Sequence, residues 1–189
     1  MNENLMIMRR AKQQLANKWI NVAIGTLIYL ALLSLSSYTY LIGMIIYGPL
    51  TFGYYLYLAC NIDTGVNNLN LLFKGFERFA ETLVAGLLYF LAVSIGCALL
   101  IVPGIIAACG LSMTFFIMVD DPNISGMDAL QKSWNMMRGQ KWNFFCLNLR
   151  FIGWILLSTL TCGIGYIFLT PYMVAAAQNF YRKLRYGTY

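Results

Sequence analysis

Charged residues fall in clusters along this chain and leave three long apolar stretches between them. Residues 19–62 contain no charge over 44 positions, residues 82–119 none over 38, and residues 142–181 only Arg150 over 40. A helix needs about 20 apolar residues to cross a hydrocarbon core of roughly 30 Å. Each stretch therefore predicts two spans, and the chain six transmembrane helices. Backbone polar groups in such a medium have to be satisfied inside the protein, so helices are the element expected at this length. Turn-forming and helix-breaking residues divide the stretches. The first holds Ser36, Ser37 and Tyr38, then Gly48-Pro49; the second holds Pro103-Gly104; the third holds Cys162-Gly163-Ile164-Gly165, then Pro171. The expected spans are 19–37, 40–60, 82–102, 104–120, 142–162 and 165–182. They form a single integral membrane domain over 1–189, an all-α, polytopic helical bundle.

A short segment with apolar residues at helical spacing precedes each pair of spans. Its stripe is Leu5, Met8, Ala11 and Leu15 in the first case, and Leu69, Leu72, Phe73 and Phe76 in the second. In the third it is Met127, Leu130, Trp134 and Met137, with Asp128, Lys132, Asn135 and Arg138 on the polar side. This pattern predicts three amphipathic cytoplasmic surface helices. Each ends on a basic-aromatic step, Lys18-Trp19, Arg78-Phe79 or Lys141-Trp142, suited to the headgroup level. A proline follows 31, 25 and 30 residues after the basic residue, at Pro49, Pro103 and Pro171. Two readings stay open: three parallel copies of one hairpin unit, or three unrelated hairpins of common length. The third segment is the best punctuated. Asp120-Asp121-Pro122 ends the span before it, Ser125 with Asp128 reads as a capping box, and Gly139 is placed to stop the helix.

The charges also orient the chain. Arg9, Arg10, Lys12, Lys18, Lys74, Arg78, Lys132, Arg138, Lys141, Arg182, Lys183 and Arg185 put twelve of the thirteen basic residues on one side of this map. The positive-inside rule makes that side cytoplasmic, with both termini there. The first apolar run lacks a small-residue cleavage site at a sensible distance, so it reads as a retained span and not a signal peptide.

Composition agrees and narrows the chemistry. Of 189 residues, 60% are hydrophobic and 11% charged, against about 25% charged in soluble domains. That excludes disorder, a disulfide scaffold and an ordinary cytosolic enzyme. Histidine is absent, which removes His-based triads, His-ligated metals and the usual proton shuttle. Cys60, Cys97, Cys109, Cys146 and Cys162 form no C-x-x-C pair and lie in or beside apolar stretches, so they read as buried free thiols. No catalytic, cofactor-binding or metal site is expected, and no nucleic-acid partner. The expected partners are membrane lipids, anionic at the cytoplasmic face, with other proteins or a second copy of the chain besides.

Four residues are candidates for a polar intramembrane or lipid contact. Arg150 lies nine residues after Lys141, roughly 13 Å deeper on a straight helix. An arginine at that depth costs about 2.5–3.5 kcal/mol on insertion scales. It reads either as a ligand contact or as a snorkelling side chain, and the second reading is favoured. Asn148 stands two positions away and so does not share its face. Asp120 and Asp121 read as a cation or proton site or, more simply, as solvated acids at a stop signal. Glu77 and Glu81 read as exposed helix partners of Arg78. Ala92 with Gly96, and Gly25, Gly43, Gly86 and Ala175 to Ala177, are small residues suited to close helix packing. Trp19, Tyr38, Tyr40, Trp142 and Tyr181 sit where an aromatic belt belongs.

Several runs resemble one known family. They are Pro103-Gly104-Ile105-Ile106, Ser112-Met113, Asp120-Asp121-Pro122, Ala129 to Ser133, Met137 to Trp142, Phe151 to Trp154, Gly163 to Gly165, Pro171-Tyr172 and Phe180-Tyr181. Together they resemble the domain-of-unknown-function 975 family of bacterial integral membrane proteins, over nearly the whole chain. The resemblance implies a helical protein of the bacterial inner membrane and supplies no catalytic residues. Its members look distantly similar to the membrane domain attached to some glycerophosphodiester phosphodiesterases, a likeness of fold alone. The sequence departs from the family pattern at Asn148, where an acid is common, and at Arg150, where a small polar residue is common.

The function expected first is a non-enzymatic membrane scaffold or accessory protein that interacts with lipids or partner proteins. The alternative is a small transporter or channel subunit, favoured by Pro- and Gly-broken spans. A lipid-modifying enzyme ranks last. A polar cavity between spans, lined by Arg150, Asn148 or threonines, favours transport; a close-packed interior of Gly, Ala and Leu favours the scaffold.

Overall fold

The computed structural model describes residues 2–16, 18–36, 40–65, 67–99, 101–160 and 163–187. In chain order these form α1 (Asn2–Leu15), α2 (Trp19–Ser36), α3 (Tyr40–Thr64), a 3-10 helix (Leu69–Phe76), α4 (Phe79–Leu99), α5 (Ile101–Leu111), α6 (Thr114–Asp120), α7 (Gly126–Met136), α8 (Lys141–Leu149), α9 (Ile152–Leu160) and α10 (Ile164–Tyr186). There is no strand among the described residues. Ser37, Tyr38 and Cys162 lie outside them, as do the side chains of Ser36, Tyr40 and Ile164. Phe79–Ala98, Val102–Asp120 and Lys141–Leu160 are long and apolar enough to cross a membrane, at 20, 19 and 20 residues. The pair Asn4–Leu15 and Trp19–Ser34, bent by 98°, is a fourth if read as one broken span. Only 22% of Phe79–Ala98 and of Lys141–Leu160 is buried. Phe90, Leu91, Ile95, Trp154, Leu156 and Leu160 are among the large apolar side chains they leave exposed, as spans that face lipid do.

Three helix ends and breaks differ from the sequence reading. Pro103 is not a turn: α4 ends at Leu99 and Pro103 sits in the first turn of α5, where its missing N–H has no helical partner to lose. The next helix is interrupted at Ser112 and Met113, between α5 and α6. The span after α7 is interrupted at Arg150, which caps α8 while the Phe151 N–H turns back to the Asn148 carbonyl at 2.9 Å. Arg150 therefore sits at a local irregularity within the span Lys141–Leu160.

The expected stripes of the short helices are buried in part: Ala11, Leu15, Leu72, Leu130 and Met137 face the bundle, while Leu5, Phe73, Phe76 and Met127 do not. On α1, Ile7, Ala11 and Leu15 are fully buried, while Leu5 and Met6 are exposed. On the 3-10 helix, Leu72 and Gly75 are buried and Phe73 and Phe76 exposed, because its three-residue period aligns 69, 72 and 75. On α7, Gly126, Ala129, Leu130 and Ser133 are buried, as is Met137 at its end, while Met127 is exposed and the part-exposed Trp134 ring lies against Gly110. Small residues join the buried side where these helices press backbone against backbone on the bundle. Gly126 illustrates this: a Cβ there would lie 2.5 Å from the Glu81 carbonyl oxygen.

Each short helix packs on a hairpin. The 3-10 helix touches α2, α3 and α4, α7 touches α4, α5 and α6, and α1 touches α8 and α10. The contact between the 3-10 helix and α3 is the closest. A Cβ on Gly53 would collide with the Leu72 carbonyl, and one on Gly75 with the Pro49 carbonyl. Between α3 and α4, a Cβ on Gly48 would collide with the Thr82 carbonyl. Gly96 likewise faces Gly104 where α4 meets α5, so the expected close packing at Gly25, Gly86 and Gly96 holds. Between α2 and α3 the contact is polar. Thr26 and Tyr54 share a hydrogen bond at 3.0 Å, Tyr29 and Thr51 one at 3.3 Å, and the Tyr57 hydroxyl donates to the Asn21 carbonyl at 2.7 Å. Buried Tyr29 and Tyr54 stack with centroids 4.4 Å apart. These tyrosines build the interior and not an interfacial belt. Buried Tyr181 does the same. Of the described cysteines, all free, Cys109 is buried but Cys97 is exposed.

Overpacking a close helix contact costs about 1–3 kcal/mol. Gly75→Ala should lower the thermal unfolding midpoint of the detergent-extracted protein by that order. Gly153→Ala, where no atom lies within 4 Å of the new Cβ, should leave it unchanged or raise it. Equal effects would contradict the packing described.

Candidate functional site

A cleft of about 290 Å³ lies between α3, α4, the α5–α6 break, α8 and α10. Tyr47, Thr51 and Tyr55 face it from α3, at the i, i+4, i+8 spacing that puts three side chains on one helix face. Tyr89 comes from α4, Ser112 from the break, and Asn148 from α8. The aromatic wall is Phe115, Phe116 and Phe144. Tyr55 stacks on Phe116 at 4.6 Å and meets Phe115 edge-on at 5.9 Å. The lining thus carries hydroxyl and amide groups and no charged side chain.

The break that opens the cleft is held by hydroxyls. Interrupting α5 frees backbone groups that need partners in an apolar setting. Ser112 Oγ donates to the Cys109 carbonyl at 2.8 Å, and Thr114 Oγ1 to the Leu111 carbonyl at 2.7 Å. Ser133 on α7 reaches across to serve two more: its Oγ donates to the Gly110 carbonyl at 2.9 Å and accepts from the Met113 N–H at 3.2 Å. The start of α7 is held with similar care. Ser125 Oγ accepts the Asp128 N–H at 3.1 Å and donates to its carboxylate at 2.8 Å. The Gly126 N–H goes instead to Glu81 on α4 at 2.6 Å. The expected capping box is therefore half local and half supplied by α4, so Glu81 is not simply an exposed partner of Arg78. Gly139 takes a positive φ of 76° after α7.

The four candidate residues separate. Asn148 lines the cleft, its amide donating to the Phe144 carbonyl at 2.9 Å. Arg150, half-buried at the α8–α9 break, is not among the cleft's lining residues. Asp121 stays a turn residue, its carboxylate accepting the Asn123 N–H at 3.3 Å. Asp120 is more than a solvated acid. It accepts from Tyr181 at 2.9 Å and from Arg185 at 2.7 Å, so it ties the end of α6 to α10. Arg185 is held above its ordinary pKa chiefly by its hydrogen bond to Tyr181, with the charge of Asp120 adding to it. A second pair, Arg182 with Asp63 at 2.6 Å, ties α10 to the end of α3. Lys18 donates to the Asn61 and Ile62 carbonyls at 2.6 and 2.9 Å, and Arg78 to the Ile124 carbonyl at 2.8 Å. The charged groups thus gather at one end of the bundle, where Lys18 caps the C-terminus of α3 and Arg78 serves the loop after α6.

The family pattern described as "Protein of unknown function (DUF975)" matches residues 77–187. The chain belongs to that family. The match starts just before α4 and ends at the Gly187 cap of α10, so it is narrower than the whole-chain likeness expected and leaves α1 to α3 outside. No curated protein and no solved structure matches the chain.

Ser133, Tyr47, Thr51 and Tyr89 were not singled out in the sequence. The α3 triplet carries a legible signal in its spacing; Ser133 carries none, because its partners lie 20 and 23 positions away. Leaving two buried backbone groups unmade costs about 1–3 kcal/mol. Ser133→Ala should lose stability on that scale in denaturant titrations. Thr159→Ala, which removes exposed bonds to the Ile155 carbonyl and the Tyr166 hydroxyl, should cost less than about 0.5 kcal/mol. Indistinguishable variants would overturn the role given to Ser133.

Proposed function

We propose that this is a six-span protein of the bacterial inner membrane, built from three hairpin units, with both termini cytoplasmic. In this reading it is a small transporter or channel subunit whose cleft takes an uncharged polar solute. The units are α1 with α2 and α3, the 3-10 helix with α4 to α6, and α7 with α8 to α10. The order of elements supports a repeat, and so do the contacts: each short helix packs on the unit before it, with α1 closing the ring on the third. Lys18 and Arg78 also act alike, each donating to carbonyls at or just after the end of its own unit's second span. The clustering of charge at one bundle end supports the orientation.

One observation carries the functional reading: a cleft that sets hydroxyl and amide groups among apolar walls draws on all three units and lies beside the interruption between α5 and α6. Transporters commonly bind substrate at repeat interfaces beside discontinuous helices. Its volume stands at the lower edge of the roughly 300–1,000 Å³ of small-molecule sites. Uncharged lining favours an uncharged ligand, since an unpaired charge is expensive there. The close-packed glycine contacts of α3 and α4 fit the scaffold alternative, and the cleft is what separates the two. Neither reading calls for catalysis.

Thiol accessibility tests this. In a background without native cysteines, Asn148→Cys and Thr51→Cys should react with a charged, membrane-impermeant thiol reagent. Leu156→Cys, on the outward face of α9, should not. A cysteine at Lys183 should react only when the reagent reaches the cytoplasmic side. Unreactive cleft cysteines beside a reactive position 183 would return the protein to the scaffold reading.

A further inference from the structure

Two lateral grooves lie away from the central cleft. The first, about 350 Å³, runs between α1, α2, α9 and α10. Its walls are aromatic and aliphatic, with Trp19, Trp154, Phe168, Leu169 and Tyr172 among them, and Lys12 stands at its edge. Trp19 and Phe168 face one another with centroids 6.2 Å apart. The second, about 290 Å³, runs between α5 and α8, with Val102, Ile105, Ile106, Trp142 and Phe145 as walls and Lys141 at its edge. The Lys141 ammonium lies 3.1 Å from the centroid of the Trp134 ring, which leaves other N–H donors of the same group for an anion.

The grooves occupy matching places. Each forms where a short helix meets the first span of its unit, at Trp19 or Trp142, and faces the second span of the unit before. At the third such corner, near Phe79, that space is closed by backbone contact: Gly75 against Pro49 and Gly48 against Thr82. Outward rims are apolar. Ile20, Leu157, Phe168, Val102 and Trp142 are all at least half exposed, so the grooves open sideways to the medium that surrounds the helices.

We propose that each groove holds one anionic phospholipid, its acyl chain along the aromatic wall and its phosphate on Lys12 or Lys141. Charge selects the occupant. The chain carries a net charge of +6, and a lysine at the end of a hydrocarbon slot matches a ligand with a negative head and an apolar tail. The proposal uses the hairpin arrangement but not the transport reading, since neither Lys12 nor Lys141 lines the cleft.

Native mass spectrometry of the full chain in detergent, equilibrated with equal phosphatidylglycerol and phosphatidylcholine, tests it. The expected result is two retained phosphatidylglycerol molecules in preference to phosphatidylcholine. Lys12→Ala and Lys141→Ala should each weaken one adduct about fivefold, and Lys12→Arg should keep it. Leu157→Trp and Val102→Trp, which fill the grooves from exposed positions, should remove one adduct each with both lysines intact and the unfolding midpoint unchanged. Equal retention of the two lipids would overturn the proposal. So would adducts indifferent to all four disruptive variants, displacement of lipid by inorganic phosphate, or a co-purifying polypeptide that occupies the grooves instead. Reactive cleft cysteines with no selective lipid would leave the transport reading standing and this one refuted.

Discussion

In an apolar medium each backbone N–H and C=O that a helix break releases must be met by another group of the protein, and that constraint organises this molecule. Its apolar helices are not continuous. Where α5 gives way to α6, hydroxyls of Ser112, Thr114 and Ser133 take the freed groups. Where α3 ends, Lys18 covers two carbonyls. Where α7 begins, Glu81 and Ser125 share the first N–H groups. Several of these partners come from a different helix, so the breaks also fix which helices are neighbours. Ser133 cannot serve Gly110 unless α7 lies against the α5–α6 junction. A broken helix is thus both the way a polar cleft opens among apolar spans and the reason the short helices dock where they do.

Much of this architecture can be read from charge spacing. The gaps between charged clusters placed α2, α3, α4, the α5–α6 and α8–α9 segments and α10 within a few residues, because a charge is the costliest thing to bury and its absence is a long-range signal. The faces of the short helices were not legible in the same way. A stripe of large apolar residues reads as the buried side when a helix rests on a soft surface. Against rigid neighbours small residues join it, so Ala129 and Ser133 lie inward beside Leu130 and Met137 of the expected stripe, while Met127 is left outside. Prolines misled for a related reason: Pro103 marks a helix start as well as it marks a turn.

At the candidate site the outcome is mixed. Asn148 reached the cleft, Arg150 did not, and Asp120 proved to be the anchor of α10. Its partners Tyr181 and Arg185 lie more than sixty positions away, beyond any local pattern. The cleft residues of α3 were visible as a four-residue repeat of polar groups, but tyrosine in an apolar span reads first as an interfacial residue. Between α2 and α3 each tyrosine ring fills space while its hydroxyl finds a partner across the contact, and of the residues expected in an aromatic belt Tyr181 is buried.

The proposed ring of hairpins stands or falls on its closing contact, where α1 packs on α10. There the Asn179 amide donates to Gln14 Oε1 at 2.9 Å and the Tyr172 hydroxyl to the Met8 carbonyl at 3.2 Å. The direct measurement is cross-linking in native membranes, with cysteines at positions 14 and 179 in a background without other thiols and a short bifunctional thiol reagent. The account predicts an intramolecular link that forms at high yield, independent of protein concentration. A control pair at positions 6 and 179, with Met6 on the exposed face of α1, should stay unlinked. If neither pair links, or if both do so equally, α1 lies free on the membrane surface and the closed arrangement is wrong.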